Sequence, residues 1–515
     1  MNPALFTAPH PEAISAALRG RLARRLPTLT HAAVADLVAD TVFHERKRLE
    51  RDQAEGAYVD RIEAAAQSMR AMHRGTMEAA LTDLVDSYAF EIHNRFSPRT
   101  YNFATRILPG TLTRLLSAGS ARDMVRGGFD PGSRIRIDGP IAQLKQLSET
   151  ATLILAPTHV SNLDSPLLGY ALYAAGLPPF AYGAGLNLFS NPVMAFFMER
   201  LGAYTVDRRK RNRLYKETLK DYSIEVLRRH HHSLFFPGGT RSRSGRLEKQ
   251  LKKGLLGTGL AAWQENLAEG KPNPDVYVVP CTLSMGLVLE AETLIADSLA
   301  EEGKSRYIIM DDEFSEARTI AAFVRQLARL DAAVHVVFGE PMDVAGNAID
   351  ADGRSLDPHG RPVDRRGYVC DAAGNVVSDE QRDHVYTERV AAQLSVAYHR
   401  DFVVQSTHLA AWAAWQALRE AHPTLDTFRL VRLHPDQRVV ERVAVERIVA
   451  AALPKLAQKR RAMPPDARGI VGEALARFAS YHRVRALDPA GAQLRVAPEL
   501  TLYYRNRLVG FPDFA

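Results

Sequence analysis

His159 and Asp164 lie five residues apart in THVSNLDSPL, directly after the apolar run TLILAP. An imidazole oriented by a carboxylate is a general base, because the acid fixes the ring and stabilises the imidazolium that forms. The chain carries no G-x-S-x-G elbow, no H-E-x-x-H zinc helix and no G-x-x-x-x-G-K-[ST] phosphate loop. A histidine and a carboxylate without a nucleophile of their own suit deprotonation of a substrate hydroxyl, with direct transfer and no covalent enzyme intermediate. The same spacing fits a helix start. Ser161 and Asp164 complete a capping box ahead of LDSPLLGYALYAAG, and Asp164 complements the positive end of that helix. The two roles are compatible, since a cap can hold a carboxylate where an imidazole reaches it.

A second constellation is FFPGGTRSRSGR, Phe235 to Arg246. Glycines let a backbone approach a ligand, and Thr240, Arg241, Ser242 and Arg243 are donors for an oxyanion, of which phosphate is the natural guest. A third is LFSNPVMAFFMERLGAYTVDRR, which closes an uncharged stretch running from Ser165 to Met198. We expect core there, with a partial acyl-binding role. Other chemistry is not supported. His230, His231 and His232 are consecutive, so their side chains diverge; they are expected to complement a helix C-terminus rather than bind metal. GTG at Gly257 to Gly259 lacks a preceding strand, and DADGRSLD lacks the alternating carboxylates of a calcium loop.

The elements that position these residues change character along the chain. Residues 1 to about 118 read as helices, with apolar residues at three- and four-residue intervals in HAAVADLVADTVFHERKRLERD and TMEAALTDLVDSYAFEIHNRF. After the turn-rich GGFDPGSR, apolar strands (RIRID, TLILAP, AYTV, SLFFP, VYVVPC, AVHVVFG) alternate with helical segments (SPLLGYALYAAG, RLYKETLKDYSIEVLRR, EARTIAAFVRQLARL). That alternation predicts an α/β fold with a mainly parallel sheet flanked by helices, whose sites form at strand carboxyl ends. The organisation read from the sequence is a helical region at 1–126, an α/β domain at 127–342, a Gly/Asp-rich excursion of turns at 343–385, and a mostly helical region at 386–515 ending in the strand-like LYYRNRLVGF.

With 515 residues and 46% apolar content the chain can build large cores, and two cysteines, Cys281 and Cys370, exclude a disulfide framework. No run reaches the 18 apolar residues of a spanning helix. PEAISAALRGRLARRL places Ile14, Leu18, Leu22 and Leu26 at helical spacing among arginines; a packed helix is expected, with an organelle transit peptide or a membrane-surface helix as alternatives. The net charge of +7 is local, since Arg208 to Lys253 holds fifteen Lys and Arg against four Asp and Glu. Such a segment attracts an anionic membrane surface or a phosphorylated small molecule, and more weakly nucleic acid.

Taken in order, THVSNLD, AGLNLFSNPVMAFFMERLGAYTVDRR, FFPGGTRSRSGR and VYVVPCTLSMG resemble the four blocks of the glycerophosphate acyltransferases, over about Ile135 to Pro341. The second and third blocks are more similar to the branch that uses glycerol 3-phosphate or dihydroxyacetone phosphate than to the lysophosphatidate branch. The resemblance implies His159 and Asp164 as the catalytic pair and Arg208, Gly239, Arg241 and Ser242 as contacts to the acceptor's phosphate. It implies an acyl donor, acyl-CoA or acyl-carrier protein, with no cofactor and no metal. The expected activity is transfer of a fatty acyl group to the sn-1 hydroxyl of glycerol 3-phosphate in phospholipid biosynthesis, peripherally at the cytoplasmic face of a membrane and without nucleic acid. A lysolipid acceptor is the close alternative, and a non-catalytic lipid-binding protein the more distant one. The family usually has a glutamate where this chain has Gly238 and an arginine where it has Asp207. Both positions flank the acceptor site and bear on acceptor identity.

Overall fold

The computed structural model describes residues 11–53, 55–101, 135–186, 199–302, 334–482 and 484–514. The expected boundary at GGFDPGSR, residues 187–198 of the uncharged stretch and the expected helix EARTIAAFVRQLARL lie outside them.

The centre is one sheet of β1 (Ile135–Asp138), β2 (Thr152–Pro157), β3 (Ala181–Gly185), β4 (Ala203–Val206), β5 (Ser233–Leu234), β6 (Val276–Met285), β7 (Val334–Phe338) and β8 (Met342–Asp343). Its order is β1-β7-β6-β2-β5-β3-β4, with β8 also on β6. From β6 through β2, β5 and β3 to β4 all neighbours are parallel. β7 runs antiparallel to β6 and carries β1 parallel to itself. Every residue of β2 and β6 is buried, which is why both read as near-continuous apolar runs. The fold is thus α/β, with a mainly parallel sheet flanked by helices. β3, the sequence AYGAG, was not among the expected strands: its small residues carry no strand signal, and pairing with β4 and β5 decides its conformation.

The N-terminal region forms α1 (Pro11–Arg25), α2 (His31–Asp52), α3 (Ala57–Arg70) and α4 (Arg74–Ile92). Ile14, Leu18, Leu22 and Leu26 are all buried, in a core that these helices share with Ala181 and Tyr204 of the sheet and Tyr215 and Tyr222 of α7 (Arg213–Arg228). The apolar face of α1 is therefore covered by protein. Arg21 and Arg25 of this helix are paired: Arg21 reaches Glu225 at 2.8 Å and Glu265 at 2.6 Å, and Arg25 reaches Asp221 at 2.7 Å. Asn212 caps α7, accepting from the Tyr215 N–H, while its Nδ2 donates to Glu45 Oε1 at 2.8 Å.

Between α5 (Ile141–Thr150) and α6 (Asp164–Ala174) runs β2. Beyond β8 a seven-residue period brings Asp343, Asp350, Asp357 and Asp371 each to the start of a turn. Each Oδ1 accepts the N–H groups two and four residues on. These carboxylates serve their own backbone, in keeping with turn chemistry rather than calcium binding.

The C-terminal region contributes α8 (Glu380–Asp401), α9 (Ser406–Ala421) and, at its end, α10 (Pro498–Asn506). The strand-like reading of LYYRNRLVGF is corrected here, since its first half closes a helix and the rest is turn: Pro498 opens α10, whose buried Leu500, Tyr503 and Tyr504 recur at helical spacing. The strands of this region come earlier, at Val404–Gln405, Val439–Glu441, Arg461–Ala462, Leu487–Ala490 and Gln493–Val496.

Candidate active site

His159 follows the carboxyl end of β2, where the chain turns into α6. Its Nδ1 lies 2.8 Å from Asp164 Oδ2, and the same oxygen accepts the N–H groups of Val160 at 2.6 Å and Ser161 at 3.0 Å. Asp164 is fully buried at the start of α6. The carboxylate thus both caps the turn and orients the ring. Only half of the expected capping box forms: the Ser161 hydroxyl accepts the Leu163 N–H at 3.2 Å rather than that of Asp164, and itself donates to Glu290 Oε2 at 2.8 Å. With Nδ1 committed to Asp164, Nε2 is the nitrogen left to accept a proton. The ring stacks on Phe236, centroids 4.0 Å apart, which limits its rotation.

The loop after β5 lies against this turn. The Ser242 N–H donates to the His159 carbonyl at 2.8 Å, and Glu248 Oε1 accepts the His159 N–H at 2.7 Å. The His159 backbone is therefore gripped on both sides by residues of the arginine-rich segment. That segment lines an open cleft of about 430 Å³ whose walls include Thr240, Arg241, Ser242 and Arg246.

Of the residues expected to hold an acceptor phosphate, Arg241 lines the cleft and is steered by Glu290, 3.3 Å from its Nη1. Arg208 lies close enough that, after partial desolvation, the like charge of Arg241 helps to depress its guanidinium below the ordinary value. Two guanidinium groups brought together in this way are the kind of arrangement whose mutual repulsion a bound anion would relieve. Gly239 turns the chain at φ +78°, beside the Lys252 stem. Ser242 lines the cleft and also holds the loop, its hydroxyl donating to the Arg246 carbonyl at 2.6 Å and its N–H to the His159 carbonyl at 2.8 Å.

The two departures from the family pattern are both accommodated. Asp207 is buried and takes Arg209, with Nε 3.1 Å from Oδ1. At Gly238 an added Cβ would stand 3.0 Å from Glu248 Cγ and 3.3 Å from its Oε1. The space that a side chain at 238 would occupy already contains a carboxylate, supplied from ten residues further on.

Much of the basic segment is internally neutralised. Arg209, Lys210, Arg228, Arg229, Arg241, Arg243 and Lys253 all form ion pairs, with acids drawn from the N-terminal helices, α7, the α/β domain and α8. The histidine triplet is not a charged helix cap. Burial depresses His231 to about 4 and His232 to about 3, and neutral His232 accepts the Leu153 N–H at 3.0 Å. Among the described residues no group of three His, Cys, Asp or Glu side chains could hold a metal, and no helix is long and apolar enough to cross a membrane. Glu248 and Glu290 escaped the sequence reading because their partners are distant in the chain, and nothing in their local sequence marks them.

A family model described as Acyltransferase matches residues 141–284, which contain both the dyad and the arginine loop. The glycerol-3-phosphate acyltransferase of Haemophilus ducreyi is 33% identical over 193 residues, 37% of this chain and 22% of that protein. That of Pasteurella multocida is 33% identical over 194 residues, 38% of this chain and 22% of its own length. That of Actinobacillus succinogenes is 32% identical over 194 residues, with the same coverage. The similarity thus spans about 22% of each of these relatives.

Proposed function

We propose that this chain, whose residues 141–284 match the Acyltransferase family model and which is similar over part of its length to glycerol-3-phosphate acyltransferases, moves a fatty acyl group from an acyl thioester to the sn-1 hydroxyl of glycerol 3-phosphate. The observation that carries the reading is the His159–Asp164 pair, with Nδ1 2.8 Å from the carboxylate, held by the loop that presents Arg241. In the reaction His159 Nε2 takes the hydroxyl proton as the oxygen attacks the thioester carbonyl. The tetrahedral intermediate collapses with loss of the thiolate, which receives that proton from the imidazolium. Asp164 keeps the ring in register and offsets its transient charge. Arg241 and Arg208 bind the acceptor's phosphate, each charged hydrogen bond contributing about 1.5 to 3 kcal/mol.

The donor in this reading is acyl-CoA or acyl-carrier protein, and the product enters phospholipid biosynthesis. We place the enzyme peripherally on an anionic membrane surface, at its cytoplasmic face. Attachment rests on bases that no ion pair takes up among the described residues, including Lys216, Lys220, Lys249 and Lys252, and is expected to weaken with salt. Glu248 beside Gly238 disfavours a larger lysolipid acceptor, because that space is filled. The test is purified protein with labelled long-chain acyl-CoA and acyl-carrier protein, offered glycerol 3-phosphate, dihydroxyacetone phosphate and lysophosphatidate. Acylation of glycerol 3-phosphate at sn-1 is expected; acylation of lysophosphatidate alone would move the assignment to the lysolipid branch, and no acylation of any acceptor would favour a lipid-binding role.

A further inference from the structure

One side chain ties the turn that carries the dyad to the loop that carries Arg241. Glu290 is buried where β6 gives way to the helix Ala291–Glu302, its carbonyl accepting the Leu294 N–H at 2.8 Å and the Thr293 hydroxyl at 3.0 Å. Its carboxylate serves other segments. Oε2 accepts the Ser161 hydroxyl at 2.8 Å, while Oε1 accepts the Asn162 N–H at 3.0 Å and lies 3.3 Å from Arg241 Nη1. Ser161 and Asn162 stand between His159 and Asp164, and the Ser161 N–H is itself bonded to Asp164 Oδ2. Taking a carboxylate out of water is costly unless donors and a cation replace its hydration. Here two donors come from the base's turn and the cation from the acceptor loop, so neither segment can shift without leaving the carboxylate short of partners.

The segment that presents Glu290 is fixed in turn by the C-terminal region. The Val288 N–H donates to the Tyr504 hydroxyl of α10 at 3.0 Å, the Thr407 hydroxyl of α9 donates to the Gly286 carbonyl at 2.6 Å, and His408 Nε2 lies 3.0 Å from the Met285 carbonyl. Thr407, His408 and Tyr504 are each 0% exposed. Bonds made away from water are the ones whose loss costs most. On the other side, the helix that starts after Glu290 supplies Ser298 and Glu301 to the wall of the cleft.

We propose that Glu290 is a positioning residue for acyl transfer: it sets the separation between the guanidinium of Arg241, which binds the acceptor's phosphate, and the imidazole of His159, which takes the proton from its hydroxyl. An acceptor that joins phosphate and hydroxyl through a short carbon backbone needs its two holding points at a matching distance. A displacement of about 1 Å can cost roughly 100-fold in rate, which sets the scale of the effect. The inference rests on the proposed transfer reaction for its kinetic consequences, and on the contacts above for its structural ones. Glutamine separates the two ties. Its carbonyl can accept the Asn162 N–H and its amide can donate to the Ser161 oxygen, which keeps the turn, but it offers Arg241 no charge.

The test uses the full chain, with glycerol 3-phosphate and labelled acyl-CoA or acyl-carrier protein, and compares wild type with E290A, E290Q, S161A, R241A and the E290A/R241A double variant. E290A is expected to lower kcat by about 10- to 100-fold and to raise the acceptor KM by about 3- to 10-fold, with the donor KM within about twofold. E290Q should hold kcat within about threefold of wild type while its acceptor KM rises as in E290A. In the double variant the acceptor KM should be no higher than in R241A, because Glu290 acts on phosphate binding through that guanidinium. Acceptor KM effects that multiply would overturn the proposal. So would a merely structural glutamate, whose loss lowers the melting temperature and leaves kcat per folded molecule and the acceptor KM unchanged. Should E290A fail to fold, S161A decides the rate criterion: kcat about 3- to 10-fold lower with the acceptor KM in place is expected, and an unchanged kcat would overturn the proposal. Hydrogen exchange at the Val160 and Ser161 amides, which bond Asp164 and not Glu290, reads the positioning without turnover. Faster exchange there in E290A, with α1–α4 unchanged, is expected. Unchanged exchange would overturn the proposal even if wild type acylated none of the acceptors, the outcome that would defeat the functional reading itself.

Discussion

The two helical regions are joined to the α/β domain in opposite ways. The N-terminal helices meet α7 and the β3–β4 edge through charges that are already paired, Arg21 with Glu225 and Glu265, Arg25 with Asp221, and Lys210 with Glu91. The C-terminal helix α10 meets the arginine loop through Tyr503 and Asn506, and Tyr503 and, just beyond the helix, Arg507 are buried with side chains that have no hydrogen-bond partners among the described residues. Satisfied charges hold two parts together and have little left to offer a reaction. Unsatisfied buried groups are costly to maintain, and Asp164 Oδ1 and Glu248 Oε2, on residues bonded to His159, are two of them.

Breaking the site should give the largest effect. His159→Ala is expected to lower kcat by about 10² to 10⁴ with the melting temperature unchanged, measured by steady-state transfer and calorimetry. Breaking the N-terminal junction should do the reverse. Arg21→Met removes the buried cation that bridges Glu225 and Glu265, both of which keep Arg228, and is expected to lower stability by roughly 1 to 3 kcal/mol in a denaturant titration, with kcat per folded molecule preserved. A fall in kcat for the folded variant would blur the contrast between the two regions.

A smaller effect sharpens the acceptor end. Arg241→Ala should raise the KM for glycerol 3-phosphate by about 10- to 100-fold and leave the donor KM in place, because it removes binding made equally in ground and transition states. The smallest effect belongs to Asp207→Ala, whose carboxylate faces Arg209. Its acceptor KM is expected to stay within about twofold of wild type. A large change there would place Asp207 at the phosphate after all.

The dyad was legible because it is local: five residues separate His159 and Asp164, and a strand end followed by a helix start is a pattern that a sequence displays. The alternation of strands and helices was legible for the same reason. What joins the parts was not. The basic segment reads as free positive charge until folding brings Asp52, Glu91 and Glu388 to it from other regions. Gly238 reads as a lost acid until Glu248 is seen beside it. Tyr503 and Tyr504 favour strand by residue type, yet Pro498 and the apolar spacing of α10 prevail, and the helix carries Asn506 to Ser244 of the arginine loop, 262 residues earlier in the chain.

The measurement closest to the central claim is single-turnover acyl transfer from labelled acyl-CoA or acyl-carrier protein to glycerol 3-phosphate, with wild type beside His159→Ala. The expected result is 1-acylglycerol 3-phosphate from wild type, no acyl-enzyme on the way, and a burst lost in the variant while glycerol 3-phosphate still binds. Equal transfer by His159→Ala, or a covalent acyl-protein that forms before product, would contradict a histidine acting as general base in direct transfer.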